Sequence, residues 1–140
     1  NAVLQFTYST PGVYTALFRV TDDQNIVHTF SVVLSIEDRN LVDQQLRTVW
    51  SSFTQALVAQ DKAAAMNLIT ASSRDAYGPI YDALAPQMPA IIGSFSALHS
   101  SMLTSAVGEY AVNRTIDGVN RIFFIYFLRD VDGVWRIDSM

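Results

Sequence analysis

The first 37 residues carry the alternation of apolar and polar positions that is typical of β-strands. Apolar side chains occupy nearly every second position over 13–20 and again over 26–36, which predicts two long strands. The polar run 22–25 between them predicts a turn, because short Asp and Asn side chains hydrogen-bond the local backbone. Pro11 and Gly12 predict another turn, which follows a short strand at 6–8. The segment therefore predicts a short strand and a long hairpin, with no helix.

A different periodicity begins after residues 37–40. Apolar residues over 42–57 recur every three or four positions, which is the spacing of one stripe along an amphipathic helix. Asp61 is predicted to cap a second helix and Ser72 a third, because both are short polar residues just before helical stretches. The three shorter helices are predicted at 62–69, 74–84 and 90–95.

Three prolines predict breaks within this helical region. Pro79 stands inside the third predicted helix, where a proline removes a backbone donor and clashes with the preceding turn. Pro86 and Pro89 predict a loop between the third and fourth helices.

From about residue 99 the pattern returns to strands. Asp-Gly pairs at 117–118 and 132–133 predict hairpin turns. The stretch 122–128 is apolar at every position, which is typical of a central strand covered on both faces. Helices followed by an antiparallel meander predict the α+β class. The four strands are predicted at 102–106, 110–116, 121–129 and 134–140.

The two apolar faces of the stretch 122–128 are expected to be covered by different partners. One face is expected to pack on the helices, whereas the other, formed by Phe123, Ile125 and Phe127 or by their alternates, requires a cover. A ligand, the N-terminal β segment and a second copy of the chain are the three candidates, because large apolar patches are rarely left bare.

Residues 1–37 resemble the second half of PKD-type, immunoglobulin-like β domains. Such domains carry a Tyr-x-x-x-Gly-x-Tyr stretch, a long strand and a Val-x-Asp sequence, and here Tyr8, Gly12, Tyr14, Val20 and Asp22 fill those places. The resemblance implies a partial immunoglobulin-like domain that ends near residue 37. It also implies that the remaining strands come from a neighbouring domain or another chain, because three strands leave half of a sandwich uncovered.

Residues 38–140 resemble the NTF2-like domains, a cystatin-like α+β cone, and among them the SnoaL-like members. Phe53, with Ala56, Leu57 and Asp61 after it, matches the opening of that family, and the stretch 132–138 (Asp-Gly-Val-Trp-Arg-Ile-Asp) matches its closing strand. The resemblance implies helices packed on a curved four-stranded antiparallel sheet, with a pocket between them. A fold of this kind does not by itself determine a function.

The composition of the chain excludes several classes of function. Only 16 % of the residues are charged and the net charge is −4, which excludes the basic surface that nucleic-acid binding requires. The absence of cysteine excludes disulfides, cysteine-based zinc sites and thiol nucleophiles. No apolar run is long enough to cross a bilayer, and the chain opens in strand-like sequence with no signal-peptide pattern.

Candidate chemistry follows from the NTF2-like resemblance, since enzymes of that fold place an Asp or His base opposite a Tyr or Asp donor in the pocket. A base must lie within hydrogen-bond reach of the proton that it removes. The residues predicted to bind a ligand are Tyr81, His99 and Tyr126. The full set of candidate bases is His99, Asp75, Asp82 and Glu109, and the candidate donors are Tyr77, Tyr81, Tyr110 and Tyr126.

No metal site or cofactor is predicted. The two histidines, His28 and His99, lie in different segments, and neither has a carboxylate at the spacing of metal ligands. The acidic stretches 22–25 and 130–133 have calcium-binding residue types, but they are predicted to be hairpin turns, which require the same residues.

The sequence thus predicts a non-enzymatic binding or interaction module of a secreted, periplasmic or cell-surface protein. A small apolar ligand or a protein is its expected partner, with a homodimer through the sheet face as one arrangement. The alternative is a small-molecule enzyme of the SnoaL or ketosteroid-isomerase type, with a pocket His or Asp acting together with a Tyr.

Overall fold

A computed structural model describes residues 5–140 and confirms the α+β class, with helices, a two-stranded antiparallel sheet and a four-stranded antiparallel sheet. The chain divides into two units, Asn1–Leu41 and Val42–Met140. The first four residues of the predicted N-terminal segment lie outside the described residues.

The first unit contains the predicted hairpin, formed by β1 (Gly12–Thr21) and β2 (Val27–Ile36). Its ten cross-strand pairs run without a bulge from one end to the other. Asp22 holds the turn, because its Oδ1 accepts hydrogen bonds from the backbone N–H groups of Gln24 and Ile26, at 2.9 and 2.8 Å. Asn25 takes the left-handed conformation there, with a φ of 61°, which Asn tolerates better than most residues.

The short strand predicted at 6–8 is wrong. Residues 5–9 have no regular secondary structure. The aromatic side chains of this stretch pack on one another and on β1 instead, with 4.8 Å between the ring centroids of Phe6 and Tyr8 and 4.5 Å between those of Tyr8 and Tyr14. A β-strand forms only where its backbone can hydrogen-bond to a neighbouring strand. The apolar pattern of residues 6–8 does not show whether such a neighbour exists.

The hairpin has one strongly apolar face. Tyr14, Ala16, Phe18 and Val20 lie on it opposite Leu34, Val32, Phe30 and His28. The Phe18 and Phe30 rings stack with 4.9 Å between their centroids, yet 53 % of Phe30 is exposed. A two-stranded hairpin is at best marginally stable alone, so this face is a large unburied surface within the unit.

The helices lie close to the predicted positions. Asp61 caps the second helix as predicted, with its Oδ1 accepting from the N–H of Ala64 at 2.9 Å. The third helix has its predicted bounds, but its predicted cap is wrong, because Ser73 rather than Ser72 precedes it and the Ser72 hydroxyl lies 3.2 Å from that of Thr70. The four helices are α1 (Arg39–Val58), α2 (Lys62–Asn67), α3 (Arg74–Leu84) and α4 (Met88–Gly93), with a 3-10 turn at Ala85–Gln87.

The prolines do not break the helical region as predicted. Helix α3 continues through Pro79, which forfeits one hydrogen bond, while Tyr81 and Leu84 on the same helix pack in the core cluster. Burial of such large side chains offsets the proline penalty of about 3 kcal/mol. Pro86 and Pro89 stand in the first turns of the 3-10 turn and of α4, where no backbone donor is needed.

All four predicted C-terminal strands are present and form a meander in sequence order, although the first spans 99–103 instead of the predicted 102–106. Asp117 and Gly118, with φ of 52° and 77°, form the tight turn between the second and third of them, the geometry that an Asp-Gly pair favours. The strands of this sheet are β3 (His99–Leu103), β4 (Val107–Ile116), β5 (Val119–Arg129) and β6 (Trp135–Ser139).

The core of the second unit lies between α1 and the inner face of this sheet. Leu46 and Phe53 of α1, and Tyr110, Ile125 and Phe127 of the sheet, are almost fully buried. Within the second unit, only one of the two apolar faces of β5 has the predicted cover. Ile125 and Phe127 are buried in the core, whereas Ile122 and Phe124 on the outward face are exposed by 60 and 47 %.

Hydrogen bonds join the segment after α2 to the last strand, β6. The backbone N–H of Ile137 donates to the carbonyl of Leu68, and the N–H of Thr70 donates to the carbonyl of Ile137, both at 2.9 Å. The Thr70 hydroxyl also donates to Asp138 at 2.9 Å. These bonds hold the segment between α2 and α3 next to β6.

Candidate functional site

A cavity of about 230 Å³ lies between the helices of the second unit. All four helices and Met140 contribute to its lining, and the cavity is open to solvent. It differs in place from the expected pocket between helices and sheet, because none of its lining residues comes from the strands.

The lining arises from helical stripes that face a common space. Phe53 and Leu57 of α1 stand four residues apart, and Tyr77, Tyr81 and Leu84 of α3 follow the same spacing. Residues at such spacings lie on one face of a helix. Met88, Ile91 and Ile92 supply the corresponding face of α4, and Met66 that of α2.

The cavity is almost entirely apolar. Among the described residues that line it there is no Asp, Glu, His, Lys or Arg, and the only side-chain polar groups are the hydroxyls of Tyr77 and Tyr81. The Tyr77 Oη accepts from the backbone N–H of Met140 at 2.8 Å and lies 3.3 Å from its carbonyl oxygen, to which it donates. This hydroxyl is therefore already satisfied within the protein.

The hydroxyl of Tyr81 is in a different position. Only 5 % of the residue is exposed, and its Oη is buried with no hydrogen-bond partner among residues 5–140. A buried polar group without a partner costs about 1–3 kcal/mol. Such groups are rare in native proteins and call for an explanation.

We expect Tyr81→Phe to raise the free energy of unfolding of the unliganded protein by about 1 kcal/mol. The substitution removes an unpaired buried oxygen and keeps the ring in the core. Urea denaturation of the two proteins measures the difference. A loss of stability greater than 1 kcal/mol would mean that the hydroxyl has a partner within the protein.

Of the three residues predicted to bind a ligand, only Tyr81 lines the cavity. His99 on β3 and Tyr126 on β5 lie on the outward face of the sheet, on either side of β4. Glu109 lies opposite Tyr126 on β4, and its carboxylate raises the pKa of Tyr126. The structure thus brings His99, Glu109 and Tyr126 to one face, away from Tyr81.

The other candidates from the sequence have local roles. Asp75 stands in the first turn of α3, where a negative charge is favourable. Asp82 pairs with Lys62, with 2.7 Å between Nζ and the carboxylate. Neither lines the cavity.

One cluster that the sequence analysis missed joins α1 to the sheet. The buried Tyr110 hydroxyl donates to Asp43 at 2.6 Å, and the Nε of Arg47 donates to the same carboxylate at 2.8 Å. The Arg47 guanidinium lies 5.7 Å from the centroid of the Tyr110 ring. The i,i+4 spacing of Asp43 and Arg47 was a detectable signal, whereas Tyr110 is 67 residues away from Asp43.

Burial, and after it the hydrogen bond to Asp43, raises the pKa of Tyr110 to about 12. Because this is above the ordinary value of 10.0, the stability that the neutral phenol contributes is complete below about pH 10 and is lost as the pH rises towards 12. Burial and the hydrogen bond to Asp43 therefore stabilise the neutral form of Tyr110.

We expect Tyr110→Phe to lower the free energy of unfolding at pH 7 by about 1.5–3 kcal/mol, the range for a hydrogen bond to a charged group. The difference between the two proteins should shrink between pH 10 and pH 12. Urea denaturation at pH 7, 9, 10 and 11 measures both effects. A difference that stayed constant over that range would show that the ionisation of Tyr110 is not coupled to folding.

No family model, curated protein or solved structure matches this chain. Among residues 5–140, no helix is long and apolar enough to cross a membrane.

Proposed function

We propose that the second unit is a non-enzymatic module that binds a small apolar molecule in the cavity between its helices. The observation that carries this proposal is the cavity itself, about 230 Å³ in volume with an apolar lining. An engineered apolar cavity of about 150 Å³ contains no water and binds benzene. Ligand sites are in general concave and apolar, with a few polar groups.

The proposed relationship to NTF2-like domains is supported by the order of the elements, helices first and then a four-stranded meander. The similarity of residues 5–37 to part of a PKD-type domain is supported by the long hairpin with its single strongly apolar face. Together with the low charge, it favours a secreted, periplasmic or cell-surface protein as the setting of this module.

The alternative, an isomerase-like enzyme, receives less support. Such a reaction requires a base within hydrogen-bond reach of the substrate, and the described residues that line the cavity include no His, Asp or Glu. The volume also falls below the range of about 300–1,000 Å³ usual for drug-sized ligands. A binding role therefore fits this cavity better than the isomerisation of a large substrate.

Methionine methyl resonances provide a test with a control inside the same molecule. The chain has four methionines, of which Met66, Met88 and Met140 line the cavity, while Met102 lies on the outward face of the sheet. In a titration of the ¹³C-methyl-labelled protein with toluene, we expect saturable shifts at the first three and none at Met102. An absence of shifts at those three, or shifts at Met102 alone, would overturn the proposal.

A second candidate function is self-association through the outward face of the sheet. Ile122, Phe124 and Met102 are exposed by 60, 47 and 46 % and lie on this face, on the two strands that flank β4. The outward residues of β4 between them are Glu109, Ala111 and Asn113. A face that mixes apolar and polar residues in this way is typical of interfaces between proteins that also exist apart. The face measures about 20 by 25 Å from strand spacings, so a dimer would bury roughly 1,000 Å², near the lower limit for a specific interface.

Sedimentation equilibrium tests this second candidate. We expect a dimer that Phe124→Asp converts to a monomer, because a charge would be buried at the centre of the interface. Val58→Asp is the matched control, since Val58 is an exposed residue of α1. A wild-type protein that remained monomeric at 100 µM, taken as about the highest practical concentration, would contradict the dimer.

A further inference from the structure

The cavity between the helices has a buried floor and an exposed opening. Phe53 and Leu57 of α1, together with Ile69, are almost fully buried and form the floor. Ile80 of α3 and Met140 line the same space, but both are exposed. Solvent therefore reaches the cavity on the side of Ile80 and Met140, away from the floor.

The interior offers a ligand no free hydrogen-bonding group from a side chain. Tyr77 and Tyr81 carry the only polar side-chain groups among the described lining residues. The Tyr77 hydroxyl is already bonded to the backbone of Met140, and the Tyr81 hydroxyl oxygen has almost no accessible surface. A polar group that entered this space would lose its hydration and gain no partner, which is unfavourable. The polar part of a ligand is therefore expected to stay in water.

The opening lets a ligand keep a polar end in water while its apolar part lies inside. Long amphipathic side chains behave in this way when they bury an apolar stem and leave a charged head in solvent. No charged residue of α3 lies three or four positions from Ile80, the spacing of neighbours on one helix face. The residues at those positions are Ala76, Tyr77, Ala83 and Leu84. Helix α3 thus does not select the charge of that polar end.

The lining favours a straight chain of limited length. It extends along α3 from Tyr77 to Leu84, a distance of about 10 Å at the helical rise per residue. An extended chain advances about 1.2 Å per bond, so about eight carbons span this length. Most of the lining residues are aliphatic or methionine, and flexible methionine side chains adapt to the shape of a ligand.

We propose that the cavity binds a single-chain amphiphile, with an alkyl chain along α3 and a polar head group in the solvent beside Ile80. The inference rests on the proposed function of the cavity and adds the class of ligand and its orientation. About eight carbons of the chain lie inside. Further carbons extend through the opening into water and add no affinity.

A series of straight-chain alcohols tests the length of the bound chain. Kd for butanol, hexanol, octanol and decanol is measured by calorimetry and from the shifts of the methionine methyl resonances. Each carbon up to about eight should raise the affinity about 4-fold, the value of a buried methylene group. Decanol should bind no more than about 2-fold more tightly than octanol, because its last carbons stay in water. An affinity that kept rising at the same rate to decanol would overturn the proposed length.

Two probes of opposite charge test the position of the head group. Octanoate and octylammonium share the chain, and at pH 7 they are charged as Glu and Lys side chains are. On wild type their Kd values should agree within about 3-fold. Ile80→Lys should shift their ratio towards octanoate by about 3-fold or more, because the new ammonium attracts one head group and repels the other. Val58→Lys is the matched control, an exposed residue of α1 outside the cavity, and it should leave the ratio unchanged.

The failure of this inference is distinguishable from the failure of the proposed function. If toluene shifts the resonances of Met66, Met88 and Met140 but the affinity for alcohols does not depend on chain length, the inference is wrong and the proposed function stands. The same holds if a folded Ile80→Lys protein keeps the wild-type ratio. If neither toluene nor any alcohol shifts these three resonances, the proposed function itself fails.

Discussion

The substitution Ile91→Trp is expected to abolish toluene binding without loss of the fold. Ile91 lies on α4 and lines the cavity between the helices, and an indole in its place would occupy the volume that the ligand requires. We expect the affinity for toluene to fall at least 10-fold, a change of about 1.4 kcal/mol. The free energy of unfolding should remain unchanged or rise, because filling a void restores lost contacts.

Calorimetry and urea denaturation of the same samples measure the two effects separately. Val58→Trp is the matched control, since Val58 is exposed on α1 and does not line the cavity. It should leave toluene binding unchanged. Normal toluene binding by a folded Ile91→Trp protein would place the ligand elsewhere on the molecule.

The substitution Gly108→Ala is expected to destabilise the protein by about 1–3 kcal/mol, the usual range for overpacking. A Cβ at this position would lie 2.5 Å from Cδ1 of Leu46, and Leu46 is completely buried. Either the buried Leu46 side chain would have to change its rotamer, or α1 and β4 would have to move apart. Gly93→Ala is the control, because a Cβ there meets no atom within 4 Å, and its effect should be small.

A double-mutant cycle with Leu46→Ala determines whether this contact is the cause. Leu46→Ala alone should cost about 2–5 kcal/mol through the cavity that it creates. Once Leu46 is truncated, Gly108→Ala should have almost no further effect on stability. The double variant should therefore be less destabilised than the sum of the two single variants, by at least about 1 kcal/mol. Strict additivity would mean that α1 does not pack against β4 at Gly108.

The parts of the fold that could be predicted from sequence are those with local causes. Asp61 caps α2 through a bond to a residue three positions later, and the Asp117-Gly118 turn depends on the conformations of those two residues alone. Apolar periodicity likewise located the hairpin and the four strands of the meander. Pro79 was misjudged because tertiary packing of α3 outweighed a local penalty.

The candidate site was harder to predict, for a geometrical reason. Strand β5 is apolar on both faces, so the sequence does not distinguish whether Tyr126 or its neighbour Ile125 points towards the helices, and the structure places Ile125 in the core. The cavity depends on where α1, α3 and α4 stand relative to one another. The placement of the helices depends on contacts between residues far apart in the sequence, such as the backbone hydrogen bond between Ile137 and Leu68. Contacts of this kind leave no periodic pattern in the sequence.

The most direct test of the account is a crystal structure of the protein soaked with 4-bromophenol, in which anomalous scattering locates the bromine. The account predicts a bromine peak in the cavity between α1, α3 and α4. A bromine peak confined to the outward face of the sheet, or a cavity closed by its own side chains, would contradict it.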